Sequence, residues 1–408
     1  MRSVDEQLQR LLSSVDPLPP FPIGLTDARG CVVAEDVYPA WPVPFCDLAA
    51  VDGYAVIADD LRGTAFAPVT LAVADVVVAG QASDVEITSG HCARVAMGGA
   101  VPAGADALVP VSHTDGGLED VVVSRIAMPG DNIRRQGRDL PADEAVVRAG
   151  NVVDARTVGL LSAIGRSQVL AHPRPRVVVM SVGSDLVETG GALSAGRTVD
   201  SNAPMLAAAI AEAGGMPYRV GPVSEDAEVL KRTLEDQLVR ADLVILLGSM
   251  SSLSYDRIFQ IVSEVGEGEL VRVAITPGGA QGVGVLGEER IPVLTLPSNP
   301  LSVFVSFEVF IRPLLRKLMG FEQAQEPLLP AYSATTFKVE PGKRNYLRAR
   351  RVRRSEERLV VEPLDLNSER PLAGLAETDY LIVVPEAVVE VSAGDRVDVL
   401  PLHSHSVR

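Results

Sequence analysis

Residues 291–320 read IPVLTLPSNPLSVFVSFEVFIRPLLRKLMG, and this stretch decides the fold. IPVLTL is a short apolar run bounded by a turn signal, the pattern of a strand buried on both faces. The PSNP segment stops it, and apolar residues at helical spacing then run to Gly320. The same alternation precedes it. VVVMSVGSDL (177–186) is a buried strand entering a loop, and residues 202–213 form a helix stopped by Gly214 and Gly215. ADLVILLGSMSS (241–252) is a second buried strand with its loop, and 257–265 is a further helix. Strands with continuous apolar runs that alternate with helices pack as a parallel sheet covered on both faces. Ligands of such sheets bind at the carboxyl ends of the strands. Loops 181–185, 248–256, 277–284 and 297–302 are therefore the informative ones.

Outward from this core, HPRPR (172–176) breaks the pattern on the amino-terminal side. Residues 52–138 are rich in Val, Gly and Ala with turn signals every eight to twelve residues, which predicts a small all-β module. Leu8, Leu11 and Leu12 place an apolar stripe on a first helix that ends at Asp16-Pro17. TVGLLSAIG (157–165) reads as a short helix closed by glycine. Beyond Pro327 and Pro330, β-type alternation continues to RVDVLPL (396–402). The chain carries 37 Lys and Arg against 53 Asp and Glu, a net charge of −16. That balance excludes bulk binding to nucleic acid or an anionic membrane, since the phosphate term is repulsive. Aromatic residues make up 4 %, too few for a base-stacking platform. Three scattered cysteines make no disulfide framework and no zinc cluster. No apolar run approaches the length of a membrane span, so a cytoplasmic protein of a reducing compartment is expected.

One segment departs from the acidic background. Residues 338–358 hold nine basic residues and three acidic ones. In a strand, the alternation in RARRVRR puts neighbouring arginines on opposite faces. The segment reads as a charged edge strand protected against aggregation or as an arginine cluster for an acidic peptide; nucleic acid is a third reading, disfavoured because base-stacking residues are absent nearby.

Four segments then match one pattern. VPFCDLAAVDGYAV (43–56), AMGGAVPAGADALV (96–109), NIRRQGRDL (132–140) and LPSNPLS (296–302) resemble the MoeA/gephyrin E-domain family. SVDEQLQRLLSSVDPLP (3–19) is similar to that family's opening helix. The resemblance implies a multidomain α/β subunit in an elongated homodimer. Its parts would be an N-terminal helical and linker domain (1–43 plus 140–172), an inserted β-rich module (44–139), a molybdopterin-binding-like α/β domain (173–326) and a C-terminal β domain (327–408). Enzymes of the family insert molybdate into adenylylated molybdopterin with Mg²⁺ and release AMP, at a site between the β module of one subunit and the α/β domain of the other. The matching residues here would be Asp52, Asp185 and Asp256 for catalysis and weak Mg²⁺ binding. Gly98, Asp200, Asn202, Ser251, Pro297, Ser298 and Asn299 would bind substrate.

The sequence departs from the family at several of these points. Ala49-Ala50-Val51 replaces the usual Ser-Ala-Met, Gly98 stands for a Thr, and Ser112 for a Glu. VGSDL (182–186) replaces TGDEL, and GSMSSLSYD (248–256) keeps only Gly248, Ser251 and Asp256 of its loop. TPGGA (276–280) replaces KPGKP and lacks both lysines. Two lost charge-assisted hydrogen bonds of roughly 1.5–3 kcal/mol each lower oxyanion affinity by a factor on the order of 10²–10⁴. Arg134, Arg135 or Arg138 would have to compensate.

The expectation is therefore a homodimeric scaffold with an eroded insertion site. Gephyrin's E domain holds a receptor peptide between the opening helix and the C-terminal domain. The matching positions here are Asp5, Leu8, Tyr346, Arg348 and Pro385, with ordinary core packing the other reading of Leu8 and Tyr346. The erosion resembles that of the actinobacterial gephyrin-like scaffold branch (Glp), which binds the FtsZ C-terminal tail. A short acidic peptide, with recruitment to the division site, is the expected partnership. The alternative is a molybdopterin molybdenumtransferase with a rewired oxyanion site.

Overall fold

The computed structural model describes residues 1–248, 252–352, 358–364 and 372–402, with the backbone alone for 252–256. The chain divides into two units, Pro22–Arg29 with Glu35–Leu170, and Met1–Phe21 with Gly30–Ala34 and Ala171–Arg408. The segments 1–43 and 140–172, expected as one domain, are thus shared between the two.

The first of these units is the β module. Its five-stranded sheet runs in the spatial order Ala107–Pro110, Gly53–Val56, His91–Val95, Val69–Val77, Asp120–Val123. Gly53 lies in its second strand because a Cβ there would stand 2.2 Å from the Val109 carbonyl oxygen. Tyr54, Val56, Leu71, Cys92 and Val121 fill the core on one face. Ala55, Ala93, Val95 and Leu108 pack on the other. The helix Ala155–Ala163 starts at Asp154, whose carboxylate accepts from the Thr157 N–H.

The second unit is built on a six-stranded sheet: β1 (Arg176–Val182), β2 (Met216–Val223), β3 (Leu243–Leu247), β4 (Gly266–Arg272), β5 (Ala280–Leu286) and β6 (Ile291–Leu296). The order is β2-β1-β3-β6-β5-β4, with β2, β1, β3 and β6 parallel and the last two strands antiparallel. Apolar residues run without a break over Val177–Met180 of β1 and Leu243–Leu247 of β3 because both faces are covered. Val177, Val179, Leu243 and Ile245 pack against one set of helices, and Val178, Met180, Val244 and Leu246 against the other. The first set comprises α1 (Val4–Ser13), α2 (Asn202–Glu212) and the long segment after β6; the second comprises α3 (Ala227–Leu238) and α4 (Ser252–Val265). Helix α1 opens with a capping box, Ser3 accepting from the Glu6 N–H while Glu6 accepts from the Ser3 N–H.

Residues 252–256, read as loop, belong to α4. Tyr255, Ile258 and Val262 keep the i, i+3, i+7 spacing of a helix, so the period extends backwards through this stretch and carries Asp256 onto the helix.

The long segment is helical over Pro300–Ser306 and Arg312–Leu318, with one wider π turn over Phe307–Ile311. In that turn Glu308 accepts from Arg312 through two bonds of 2.7 and 2.9 Å, both residues being buried. The Arg312 guanidinium also lies 5.1 Å from the centre of the Phe307 ring.

The C-terminal strands are β7 (Leu329–Ser333), β8 (Arg344–Arg351), β9 (Val360–Pro363), β10 (Tyr380–Val384) and β11 (Arg396–Pro401). They pair in the order β8-β9-β7-β11-β10, and β10 pairs back to β8, so the sheet closes into a barrel. Closure removes free sheet edges. Arg344, at the start of β8, holds Asp5 of α1 by two bonds of 2.6 and 2.8 Å and lies 3.1 Å from Glu386.

Two outcomes follow from these ion pairs. Removing one partner of a buried pair strands the other, at a cost of about 3–5 kcal/mol. Glu308→Ala is expected to lose about that much stability in urea unfolding, and a loss under ~1 kcal/mol would refute the account of the π turn. The hydrogen bond from Arg344 holds the Asp5 carboxyl below its usual range. A depressed carboxylate stabilises the fold above its unfolded pKa of about 3.9 and loses that contribution as pH falls through the folded value. The stability gap between the wild type and Asp5→Asn should therefore shrink as pH is lowered from 6 toward 3, read from urea midpoints.

Candidate functional site

In the sheet, β1 connects to β2 on one side while β3 lies on the other, so the chain switches direction between β1 and β3. The crevice beyond their carboxyl ends is where a doubly wound sheet takes its ligand. The structure gathers four of the predicted residues there. Asn202 opens α2 and donates from Nδ2 to the Ser298 carbonyl at 2.6 Å, which ties the start of α2 to the loop after β6. Asn299 caps the following helix, its Oδ1 accepting from the Leu301 and Ser302 N–H groups at 2.9 and 3.2 Å. Asp200 accepts through Oδ1 from the Asn202 and Ala203 N–H groups, both at 3.1 Å.

Half of this polar inventory is left over. Asp200 is 3 % exposed, yet its Oδ2 has no hydrogen-bond partner. The Asn202 Oδ1 is likewise buried and unpartnered. So is the hydroxyl of Ser181, a fully buried residue near the end of β1. Buried polar atoms are normally satisfied, and each exception asks for an explanation. Ser181 was not singled out from sequence. The available signal was a hydroxyl closing an otherwise apolar run, VVVMSV.

The 276–280 loop stands at the same edge, because β5 is antiparallel to β6 and Gly282 lies opposite Thr295. Gly278 has φ +98°, and a Cβ on it would stand 3.2 Å from the Ser302 Cβ and from the Ser306 hydroxyl. Only glycine permits that approach. Gln281 donates from Nε2 to the Gly278 carbonyl and to the Ser306 hydroxyl, each at 3.3 Å, which pins the loop to the helix after Asn299. The loop has no charged side chain of its own. Asp185 lies beside this edge, in the loop after β1, its carbonyl accepting from the Thr198 N–H. Ser251 lies outside the described residues, as does the side chain of Asp256.

In the β module Asp52 and Gly98 come together. The Asp52 Oδ1 accepts from the Met97 N–H at 2.8 Å, immediately before Gly98 with φ +79°. The carboxylate therefore fastens this turn. Of the arginines considered as substitutes for the missing lysines, Arg134 pairs with Asp139 and Arg135 with Asp47. Among the described residues no three His, Cys, Asp or Glu side chains form a group able to hold a metal ion.

The residues expected to meet a peptide divide. Leu8 is 4 % exposed and Tyr346 8 %, both in the main core of the second unit. Burial pushes the Tyr346 hydroxyl up to about 12. Arg348 is 2 % exposed and lies under Gly374, where a Cβ would stand 3.0 Å from its Nη1. Asp5 and Pro385 are at the surface, with Asp5 engaged by Arg344. Four further basic residues of the segment have partners within the chain. Lys338 meets Glu390, Lys343 meets Glu340, and Arg350 meets Glu362 and Glu377. Arg358 stacks on Tyr332 at 5.1 Å. Arg353 and Arg354 lie outside the described residues. Among the described residues, no helix is long and apolar enough to cross a membrane.

Comparison with known proteins agrees with this architecture. Residues 2–165 match the MoeA N-terminal region (domain I and II), 178–317 a probable molybdopterin binding domain, and 330–402 the MoeA C-terminal region (domain IV). Two Mycobacterium tuberculosis proteins, named molybdopterin molybdenumtransferase 1 and 2, are each 36 % identical to the chain. They cover 99 % and 98 % of it, and the matches span 100 % of both relatives. Two crystal structures of the Pyrococcus horikoshii molybdopterin biosynthesis MoeA protein superpose with TM-scores of 0.84 and 0.73 at 27 % and 25 % identity. Each covers 98 % of this chain, with 98 % and 100 % of the Pyrococcus chains matched. With all three regions present in order and the same fold throughout, the chain belongs to the MoeA family.

Proposed function

We propose that the protein is a molybdopterin molybdenumtransferase, taking adenylylated molybdopterin and molybdate as substrates. This reverses the order of preference that the substituted motifs suggested. The full-length likeness to two relatives bearing that name supports it. The observation that carries it is the pair of unpartnered acceptors, Asp200 Oδ2 and Asn202 Oδ1, at the carboxyl edge of the sheet. A pterin presents N–H donors along its amino-pyrimidine edge. Such an edge satisfies two acceptors that otherwise bear the cost of burial without a partner. Asp200 also fixes the start of α2 through Oδ1, so the acceptors are held in place before the ligand arrives.

A scaffold that binds a short acidic peptide is the second reading, with the FtsZ tail, a homodimer and the division site as its setting. The observation favouring it is that the 276–280 loop carries no charge of its own. The burial of Leu8, Tyr346 and Arg348 leaves Asp5 and Pro385 as its surface anchors.

The test is single-turnover conversion of adenylylated molybdopterin with molybdate, read as AMP release and bound molybdenum. Turnover is expected in the wild type. Asp200→Asn puts a donor where the ligand needs an acceptor, and should raise the KM for the pterin nucleotide about tenfold or more. A folded wild type without turnover would overturn the transferase reading. Saturable binding of an FtsZ-tail peptide, weakened by Asp5→Ala, would then support the second.

A further inference from the structure

Of the three unpartnered atoms buried at the carboxyl edge of the sheet, the Ser181 hydroxyl differs in kind from the other two. A carboxylate oxygen of Asp200 and the amide oxygen of Asn202 only accept hydrogen bonds, whereas a hydroxyl also donates. Ser181 is fully buried in β1. Its backbone pairs in register with Leu247 of β3, which pairs in turn with Leu296 of β6. Ser181 lies two residues beyond Val179 and four beyond Val177, so the pleat puts its side chain on their face of the sheet. That face packs against Ala203 and Leu206 of α2 and against Val303 of the helix after Asn299. Asp200 and Asn202 stand at the start of the same α2, and Asn202 is bonded to the Ser298 carbonyl just beyond Leu296. One donor and two acceptors are thus left over on one face, at one end of the sheet.

We propose that Ser181 reads the 4-oxo group of the pterin. Its hydroxyl donates to that oxygen, while Asp200 Oδ2 and Asn202 Oδ1 accept from the ring N3–H and the 2-amino group. This rests on the transferase reading and makes Ser181 a specificity-determining residue for the pterin. The amino-pyrimidine edge of a pterin runs oxo, N3–H, amino, which is acceptor, donor, donor. The three unpartnered atoms supply the complement, a donor and two acceptors. A buried hydroxyl left unbonded costs the free protein its desolvation, and a ligand that bonds it recovers that cost as affinity. A site built to hydrogen-bond its substrate also rejects an analogue lacking the matching atom more strongly than an apolar pocket does. The strand ladder fixes the Ser181 backbone, so only the side-chain rotor remains to be ordered on binding.

Three measurements on the full-length chain test this. Pterin and 4-thiopterin differ only at position 4, where sulfur is a poor acceptor, so fluorescence titration with the two compounds isolates the contact. The wild type is expected to prefer pterin about tenfold, and Ser181→Ala to lose that preference by weakening pterin alone. In the insertion assay, Ser181→Ala should raise the KM for the pterin nucleotide about five- to tenfold and leave kcat within a few-fold. Ser181→Cys, a weak donor of similar size, should fall between the two. Without ligand, the urea midpoint of Ser181→Ala should equal or exceed that of the wild type, because the hydroxyl it removes is unsatisfied in the fold. A merely structural hydroxyl would lower the midpoint and leave the ratio of pterin to 4-thiopterin affinity unchanged.

Wild-type turnover, with the 4-oxo preference and the KM unchanged in Ser181→Ala, overturns the assignment and leaves the transferase reading intact. A lower urea midpoint in Ser181→Ala with the affinity ratio unchanged overturns it as well. A pterin preference that depends on Ser181, in a chain without turnover, supports the assignment and overturns that reading. Neither pterin binding nor turnover in the wild type overturns both.

Discussion

Burial of three neighbouring parallel strands, β1, β3 and β6, on both faces is the constraint on which the rest of the second unit depends. A strand covered on both sides has no solvated face, so its residues are apolar throughout and its polar work moves to its ends. Val177 to Met180 and Leu243 to Leu247 are fully buried or nearly so, and the first hydroxyl along β1 is Ser181. Helices on each side of the sheet must then return the chain to the same edge, which is why Asp200, Asn202, Ser298 and Asn299 converge although nearly a hundred residues separate the two pairs. The Asn202 bond to the Ser298 carbonyl is the direct trace of that convergence. A ligand site at this edge is a consequence of how the sheet is covered, and its chemistry is set by which polar atoms the loops leave over.

The electrostatics of the chain follow a similar logic of compensation. The basic segment 338–358 stands out in the sequence as an attractor for an anionic partner. In the fold, Lys338, Lys343, Arg344 and Arg350 are met by Asp5, Glu340, Glu362, Glu377, Glu386 and Glu390, all from the same unit. An acidic protein can carry a local run of arginine and lysine at little electrostatic cost when the topology brings its own carboxylates to them. Exposed pairs of this kind add little stability, typically below about 1 kcal/mol each. What they change is availability, since an external peptide must compete with an internal carboxylate already in place.

The fold was largely legible because its signals are periodic. Uninterrupted apolar runs, helical spacing after LPSNP and regular turn signals in 52–138 are properties of consecutive residues, and each became the element it predicted. The start of α4 is hard to see because the serine-rich stretch before Arg257 looks like a loop, while Tyr255 keeps the helical spacing to Ile258 and Val262. The site was legible only in part. Asp52 with Gly98, and Asn202 with Ser298, come together where family motifs placed them. Sequence spacing does not report burial on one face of a closed barrel. Tyr346 and Arg348 alternate like an exposed strand face, but Leu347 and Ala349 on the other face fill the barrel, while Tyr346 packs into the core shared with α1 and the large sheet and Arg348 is covered at Gly374. The hydrogen bonds that run from Thr276 through Glu340 to Lys343 were invisible for the same reason, since they join residues more than sixty positions apart.

Loss of a motif residue is therefore a weaker statement about chemistry than loss of a charge from the folded site. TPGGA lacks the lysines that the resemblance implies, and on sequence alone the oxyanion affinity falls by orders of magnitude. The fold places Lys343 one carboxylate away from Thr276, on a turn held by Asn345 and by the pairing of Thr276 with β8. A cation moved to a neighbouring element keeps the Coulomb term if the distance to the anion is kept, because the field depends on position and not on which strand supplies the charge.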